Sequence, residues 1–254
     1  MPARDRGSSF DSVRGVAAGL AVETFPGLRA SVPGTKVSTR MKFVPLTLLA
    51  GGLFVNAADA PGSAKPLYAQ DFEKAEVDKV PDGMLVLDGG FAVKATTGGK
   101  VLELPGDPLE TFGVLFGPTE KDGLCVQASL LGTGKGRRFP VLAVGLNGVG
   151  GYKLQISPAK KALELYRGEE VKASAPLDWK SGAWATLKLQ LRKVKDGEWK
   201  AEGKVWAQGD NEPAAWQITF TDATEPAAGR PSIWGLPFSG TPIQFDNLLV
   251  TPAK

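Results

Sequence analysis

Carboxylates are the main acid–base groups this sequence offers near neutral pH, because its 254 residues include no histidine and one cysteine. Without histidine there is no Ser-His-Asp triad, no Cys-His dyad and no His-ligated zinc or haem. One cysteine allows neither an internal disulfide nor a CxxC site. Cys125 as a nucleophile would also lack its usual base. Two carboxyl groups about 5–5.5 Å apart would serve a retaining glycosidase. Glu103 in Val101-Leu102-Glu103-Leu104 and Glu164 in Leu163-Glu164-Leu165 are the acids set between apolar residues. Strand alternation produces the same pattern for any solvent-facing glutamate, so no catalytic residue is assigned. Asp210 and Glu212 fall in a Gly/Pro turn and read as loop residues. Gly132-Thr133-Gly134-Lys135-Gly136 lacks the earlier glycine and the trailing Ser/Thr of a phosphate loop. It reads as a solvated basic turn ending in Arg137-Arg138, with Arg138 available as a rim contact to an acidic ligand.

Tryptophan is the other informative residue. In Trp184–Arg192, Ala185, Leu187, Leu189 and Leu191 share one face, while Trp184, Thr186, Lys188, Gln190 and Arg192 share the other. In Trp199–Gln208 the apolar face is Trp199, Ala201, Gly203, Val205 and Ala207. Opposed residues of a hairpin point the same way, so Leu191 must face an odd-numbered residue, which requires an odd loop. Lys195-Asp196-Gly197 supplies three residues, with Gly197 in the left-handed position. The predicted register sets Leu191 against Ala201, Leu187 against Val205 and Thr186 against Trp206. Trp184 and Trp206 then become diagonal neighbours about 7–8 Å apart on the polar face. Lys188, Lys204 and Glu202 share that face. Two indoles in such a setting form a stacking platform for a ring-shaped polar ligand, or lie covered by a loop. Trp199 and Trp216, with Ile218 and Phe220, fall on apolar faces and are expected in the core.

These segments belong to a chain of strands. Strand-like alternation occurs at 67–72, 91–95, 101–104, 113–116, 124–131, 139–146 and 152–157, and again at 162–167, 170–175, 183–193, 199–208, 216–221, 232–234 and 243–250. Turn sequences such as Asp88-Gly89-Gly90, Asn147-Gly148 and Asp196-Gly197 separate them. No helix longer than about two turns is expected. The fold class is all-β, an antiparallel β-sandwich or barrel of one domain over residues 67–254.

Residues 1–66 read differently. Met41-Lys42, the apolar run Phe43–Val55 and the small residues after it follow the three-part pattern of a secretory signal peptide over 41–57. Cleavage is expected after Ala57, or alternatively after Ala60, leaving 58–66 as a linker. The run is short for a membrane span and is weakened by Pro45 and Gly51-Gly52. Residues 1–40 are Gly-, Ser- and Arg-rich and are expected to be a disordered extension or an over-long gene start. Residues 1–60 hold seven basic residues (Arg4, Arg6, Arg14, Arg29, Lys36, Arg40, Lys42) and four acidic ones (Asp5, Asp11, Glu23, Asp59). They account for the whole +3 net charge, since the other 23 Lys+Arg meet 23 Asp+Glu. A neutral body gives no argument for nucleic acid.

Tyr68-Ala69-Gln70-Asp71-Phe72-Glu73 resembles the opening strand of concanavalin A-like lectin/glucanase jelly rolls in exported bacterial proteins. Gly151-Tyr152-Lys153-Leu154 and Trp184–Leu189 are similar to their middle strands. Lys204-Val205-Trp206 and Gln244–Val250 are similar to their later hairpin and closing strand. The resemblance spans residues 67–251 and implies two antiparallel sheets packed face to face, with first and last strands adjacent, as in laminin-G-like relatives. Laminarinase-type members carry a Glu-x-Asp-x-x-Glu strand, which this sequence lacks. Relatives without it bind glycans or act as interaction modules. Some hold a structural calcium near the terminal strands, to which Asp71 and Asp246 would contribute here. The resulting expectation is an exported, non-catalytic module binding carbohydrate or an envelope component, with Trp184, Trp206, Lys188, Lys204 and Arg138 as ligand contacts. A carboxylate hydrolase and a purely structural envelope protein are the alternatives.

Overall fold

The computed structural model describes residues 65–254, so the expectations for residues 1–57 and most of the 58–66 linker lie outside the described residues. Fifteen strands follow in chain order: β1 (Tyr68–Gln70), β2 (Leu85–Asp88), β3 (Ala92–Thr96), β4 (Gly99–Leu104), β5 (Phe112–Leu115), β6 (Leu124–Leu131), β7 (Val141–Leu146) and β8 (Tyr152–Ser157). Then come β9 (Ala162–Arg167), β10 (Glu170–Pro176), β11 (Ala185–Lys195), β12 (Glu198–Ala207), β13 (Ile218–Asp222), β14 (Ser232–Leu236) and β15 (Ile243–Pro252). One 3-10 turn at Pro158–Lys160 is the single helical element among the described residues. None of these is long and apolar enough to cross a membrane as a helix.

The strands form two sheets. One runs β13-β12-β11-β6-β15-β4-β3 with β1 beside β15, and the other runs β10-β9-β8-β7-β14-β5-β2. The first and last strands are adjacent, with Tyr68 opposite Val250. The core lies between the sheets because alternate residues of each strand point inward. Leu124, Val126, Ala128 and Leu130 of β6 meet Leu142, Val144 and Leu146 of β7 within one buried cluster. At one edge a polar staple joins the sheets. Tyr152 of β8 donates its hydroxyl to Asp222 of β13 at 2.7 Å, and the Arg167 guanidinium of β9 pairs with the same carboxylate oxygen. Burial pushes the Asp222 carboxyl up, but the Thr224 amide, the Tyr152 hydroxyl and Arg167 outweigh it and hold it below the ordinary range.

The β11–β12 register matches parity: Leu191 opposes Ala201, Leu187 opposes Val205 and Thr186 opposes Trp206. The connection is one residue tighter than expected. Lys195 pairs with Glu198 across Asp196-Gly197, and a bulge after Lys193 takes up the odd residue. Gly197 has φ of 73°, which a side chain would strain. Two expectations need correction. Strand β2 was not anticipated, since Leu85-Val86-Leu87-Asp88 lacks clean alternation and carries its own bulge against β5. Trp216 is not in the core. Gln217 uses its side-chain amide to bond Val205 N and Val205 O, at 2.8 and 3.0 Å. That substitutes for a strand partner on β12, so β13 begins only at Ile218 and Trp216 is left outside the ladder.

Candidate functional site

Trp184 immediately precedes β11, and its carbonyl accepts the Gln208 amide at 3.0 Å, just beyond β12. With Thr186 opposite Trp206, the two indoles are diagonal neighbours. Both are half-buried. They line one cleft of about 210 Å³ together with a third tryptophan, Trp179. Leu177, Ile156 and Val205 contribute apolar surface to it, and Asp178, Asp210 and Lys180 contribute charge. Trp179 packs edge-on against Phe139, with centroids 6.5 Å apart and planes at 87°. Its indole Nε1 is buried and has no hydrogen-bond partner among the described residues.

The walls are braced from behind. Gly134 N donates to Ser181 Oγ at 2.8 Å, Gly182 N to Gly132 O at 2.9 Å, and Leu177 N to Lys161 O at 2.9 Å. The glycine-rich loop after β6 therefore holds the segment that carries Trp179 and Trp184. Trp179 had no sequence signal. It stands in Leu177-Asp178-Trp179-Lys180, outside any periodic strand, and only the packing of two loops brings it to the other indoles. Asp210 shares the cleft although its turn gave no sign of it.

The structure separates the lysines from the tryptophans. Neither Lys188 nor Lys204 lines the three-tryptophan cleft. The loop after β12 folds over the outer sheet face and puts Glu212 between them. Glu212 accepts from Lys188 at 2.8 and 3.1 Å and pairs with Lys204 at 2.7 Å. Lys204, only 5% exposed, also donates to Pro213 O at 2.7 Å and lies 4.5 Å from the Trp216 ring centroid. Burial raises the Glu212 carboxyl, but the two lysines together bring it below its ordinary value. Lys188 lines a separate hollow of about 230 Å³ with Cys125, Gln127 and Thr251. Arg138 is exposed in the turn closed by Lys135 N to Arg138 O at 2.9 Å, next to Phe139 rather than in the cleft.

The candidate acids do not form a pair. Glu103 is on β4 and Glu164 on β9, in different sheets. Glu103 accepts from Gln244 at 2.9 Å. Glu164 is only 4% exposed and accepts from Ser157 at 2.5 Å, Tyr166 at 2.9 Å and Lys160 at 2.9 Å. Its burial works against ionisation, yet these three donors win and keep the carboxyl below its usual range. It is a consumed carboxylate rather than a free one. Cys125 is buried on the outer face opposite Gln190, and burial pushes its thiol up, away from the nucleophilic thiolate.

Asp71 and Asp246 lie near each other beside Glu73. Burial raises the Asp246 carboxyl, and the charges of Glu73 and Asp71 add to the rise. Both Asp246 oxygens are taken by Asn247, through its amide at 2.6 Å and its side chain at 3.0 Å. Among the described residues no group of three acidic or sulfur side chains converges on one point.

No family model matches the chain, and no curated protein matches it. Solved structures do. The Emp46p carbohydrate recognition domain, in metal-free form, superposes with a TM-score of 0.52 at 12% identity, covering 74% of this chain and 97% of that one. The VIP36 exoplasmic/lumenal domain, in a Ca2+/Man-bound form, gives 0.50 at 9% identity, covering 75% and 92%. Carbohydrate binding module CBM66 from Bacillus subtilis gives 0.46 at 14%, covering 66% and 94%. At these identities the likeness is one of fold. The fold is the two-sheet concanavalin A-like jelly roll.

Proposed function

We propose that this chain is an exported, non-catalytic module that binds carbohydrate, or a glycan-bearing envelope component, in the cleft walled by Trp179, Trp184 and Trp206. The observation that carries the reading is the convergence of three tryptophans on one cleft. A pyranose offers an apolar C–H face and a polar rim of hydroxyls. Indole faces accommodate the first, and Asp178 and Asp210 accept from the second. The volume of about 210 Å³ is below the roughly 300–1,000 Å³ of drug-sized sites, which favours one ring or a chain end over a long oligomer. Fold neighbours that include a carbohydrate recognition domain and a Man-bound domain support the ligand class. The signal-peptide pattern at 41–57 supports export, and the absence of a paired-carboxylate arrangement between Glu103 and Glu164 favours binding over hydrolysis.

The test is a glycan array followed by tryptophan-fluorescence titration of the array hits. Trp184→Ala and Trp206→Ala should each weaken binding about tenfold or more with unchanged circular dichroism. Retained affinity in both variants, or release of reducing ends from a bound glycan, overturns the reading.

A further inference from the structure

The seven-stranded sheet carries a second aromatic surface on the side away from the core. Opposed residues share a face. The pairs Trp234–Gly113, Trp234–Ala143, Ala143–Gln155 and Gln155–Glu164 therefore form one outer row. Ser232, Gly145, Lys153 and Tyr166 form the adjacent row. The Trp234 indole lies flat across these strands. A Cβ on Gly113 would sit 2.5 Å from its Cε3 and Cζ3, and one on Gly145 would sit 3.2 Å from its Nε1. Ser232, outward-facing yet 0% exposed, lies beneath it and accepts from Nε1 at 2.8 Å. The ring is thus held down by residues without bulk, and its N–H is already satisfied. What remains to offer is its outer face.

Tyr166 is fixed in the same manner. Its hydroxyl donates to Glu164 at 2.9 Å, and Glu164 is held in turn by Ser157 and Lys160. Between the two aromatics stands Lys153, with Nζ 5.1 Å from the Tyr166 centroid and 5.9 Å from that of Trp234. Of the acids in the Trp234 row, Glu164 is ion-paired with Lys160, while Asp88, at the far end of the row beyond Gly113, accepts from the Gly89 amide and keeps its charge. Among the described residues Lys153 has no ion-pair partner. Trp234 on β14 and Tyr166 on β9 are three strand steps apart, but their rings lean toward Lys153, whose Nζ reaches both, so the two centroids are at most about 11 Å apart, still more than one sugar ring.

We propose that Trp234, Lys153 and Tyr166 form a second binding surface, for an anionic polysaccharide. Pyranose rings stack on the two pinned aromatic faces, and a carboxylate or sulfate on the chain meets the Lys153 ammonium. The surface suits an extended chain rather than a chain end, because it is flat and both polar aromatic tips are internally bonded. It is separate from the tryptophan cleft and stands or falls without it.

Affinity electrophoresis of the full chain in gels containing polygalacturonate, dextran sulfate or neutral dextran tests this. An anionic polymer should retard the protein while dextran does not, and the two anionic gels tell a carboxylate requirement from a sulfate one. Trp234→Ala and Lys153→Gln should each weaken the retardation several-fold to about tenfold, while Trp184→Ala leaves it intact. Lys153→Gln, a polar exchange at a half-exposed position, keeps the test valid if Trp234→Ala fails to fold. No retardation by either anionic polymer, equal retardation by dextran, or unchanged retardation in Lys153→Gln overturns the proposal. So does loss of a dimer in Trp234→Ala with polymer binding unchanged, which would make the face a contact between copies.

Discussion

Asp222→Ala tests whether the edge staple, rather than the core alone, keeps the two sheets together. The substitution strands two groups. The Tyr152 hydroxyl, on a residue 1% exposed, loses its acceptor, and a buried unsatisfied hydroxyl costs about 1–3 kcal/mol. Arg167 loses its carboxylate, and breaking a buried ion pair costs about 3–5 kcal/mol. Arg167 retains 23% side-chain exposure, so water recovers part of that, and the two costs share one carboxylate and do not add. The expected loss is about 3 kcal/mol, which for the 190 described residues lowers Tm by roughly 6–12 °C. Asp222→Asn keeps an acceptor for Tyr152 and should lose about 1 kcal/mol, as should Tyr152→Phe. The assay is urea denaturation followed by tryptophan fluorescence, with the two mild substitutions combined in a double-mutant cycle. A loss below about 1 kcal/mol in Asp222→Ala would refute the reasoning. Acidity supplies an independent check. The folded carboxyl is lowered, so its contribution is complete above the unfolded value of about 3.9 and fades as pH falls through the lower folded value. The stability gap between the native chain and Asp222→Ala should therefore narrow below about pH 4.

Glu212→Gln removes the partner shared by Lys188 and Lys204, and limited proteolysis should then cut the 208–217 loop several-fold faster, with little change in Tm because Glu212 is 41% exposed. The same loosening should appear in the native chain as pH falls, since the lowered Glu212 carboxyl loses its charge only in acid. Glu164→Gln should destabilise by about 1–3 kcal/mol without altering glycan binding at the tryptophan cleft, checked by melting and titration together; a large binding loss with unchanged stability would reverse the reading of Glu164 as structural. Gly197→Ala should cost about 1–2 kcal/mol in thermal melts because φ of 73° is strained for any side chain.

Much of the sandwich was legible locally. Period-two alternation assigns the inward residues of β6, β11 and β12, and parity with Asp196-Gly197 sets the β11–β12 register without any tertiary contact. Neighbouring residues carry that information: side-chain direction alternates along a strand, and a short loop leaves few registers open. Alternation states which face a residue occupies but not what covers the face. Lys204 is on the polar face as expected, yet the loop bearing Glu212 and Trp216 buries it. Glu164 is outward and still buried, because Lys160, Ser157 and Tyr166 close around it. Trp179, Trp184 and Trp206 meet through loops from different parts of the chain, and Trp234 lies flat only because Gly113 and Gly145 sit beside it on separate strands. Such contacts depend on strand order and loop packing across long sequence separations, so tertiary structure alone decided them, while the sequence by itself determined the faces, the hairpin register and the chemistry that a chain without histidine excludes.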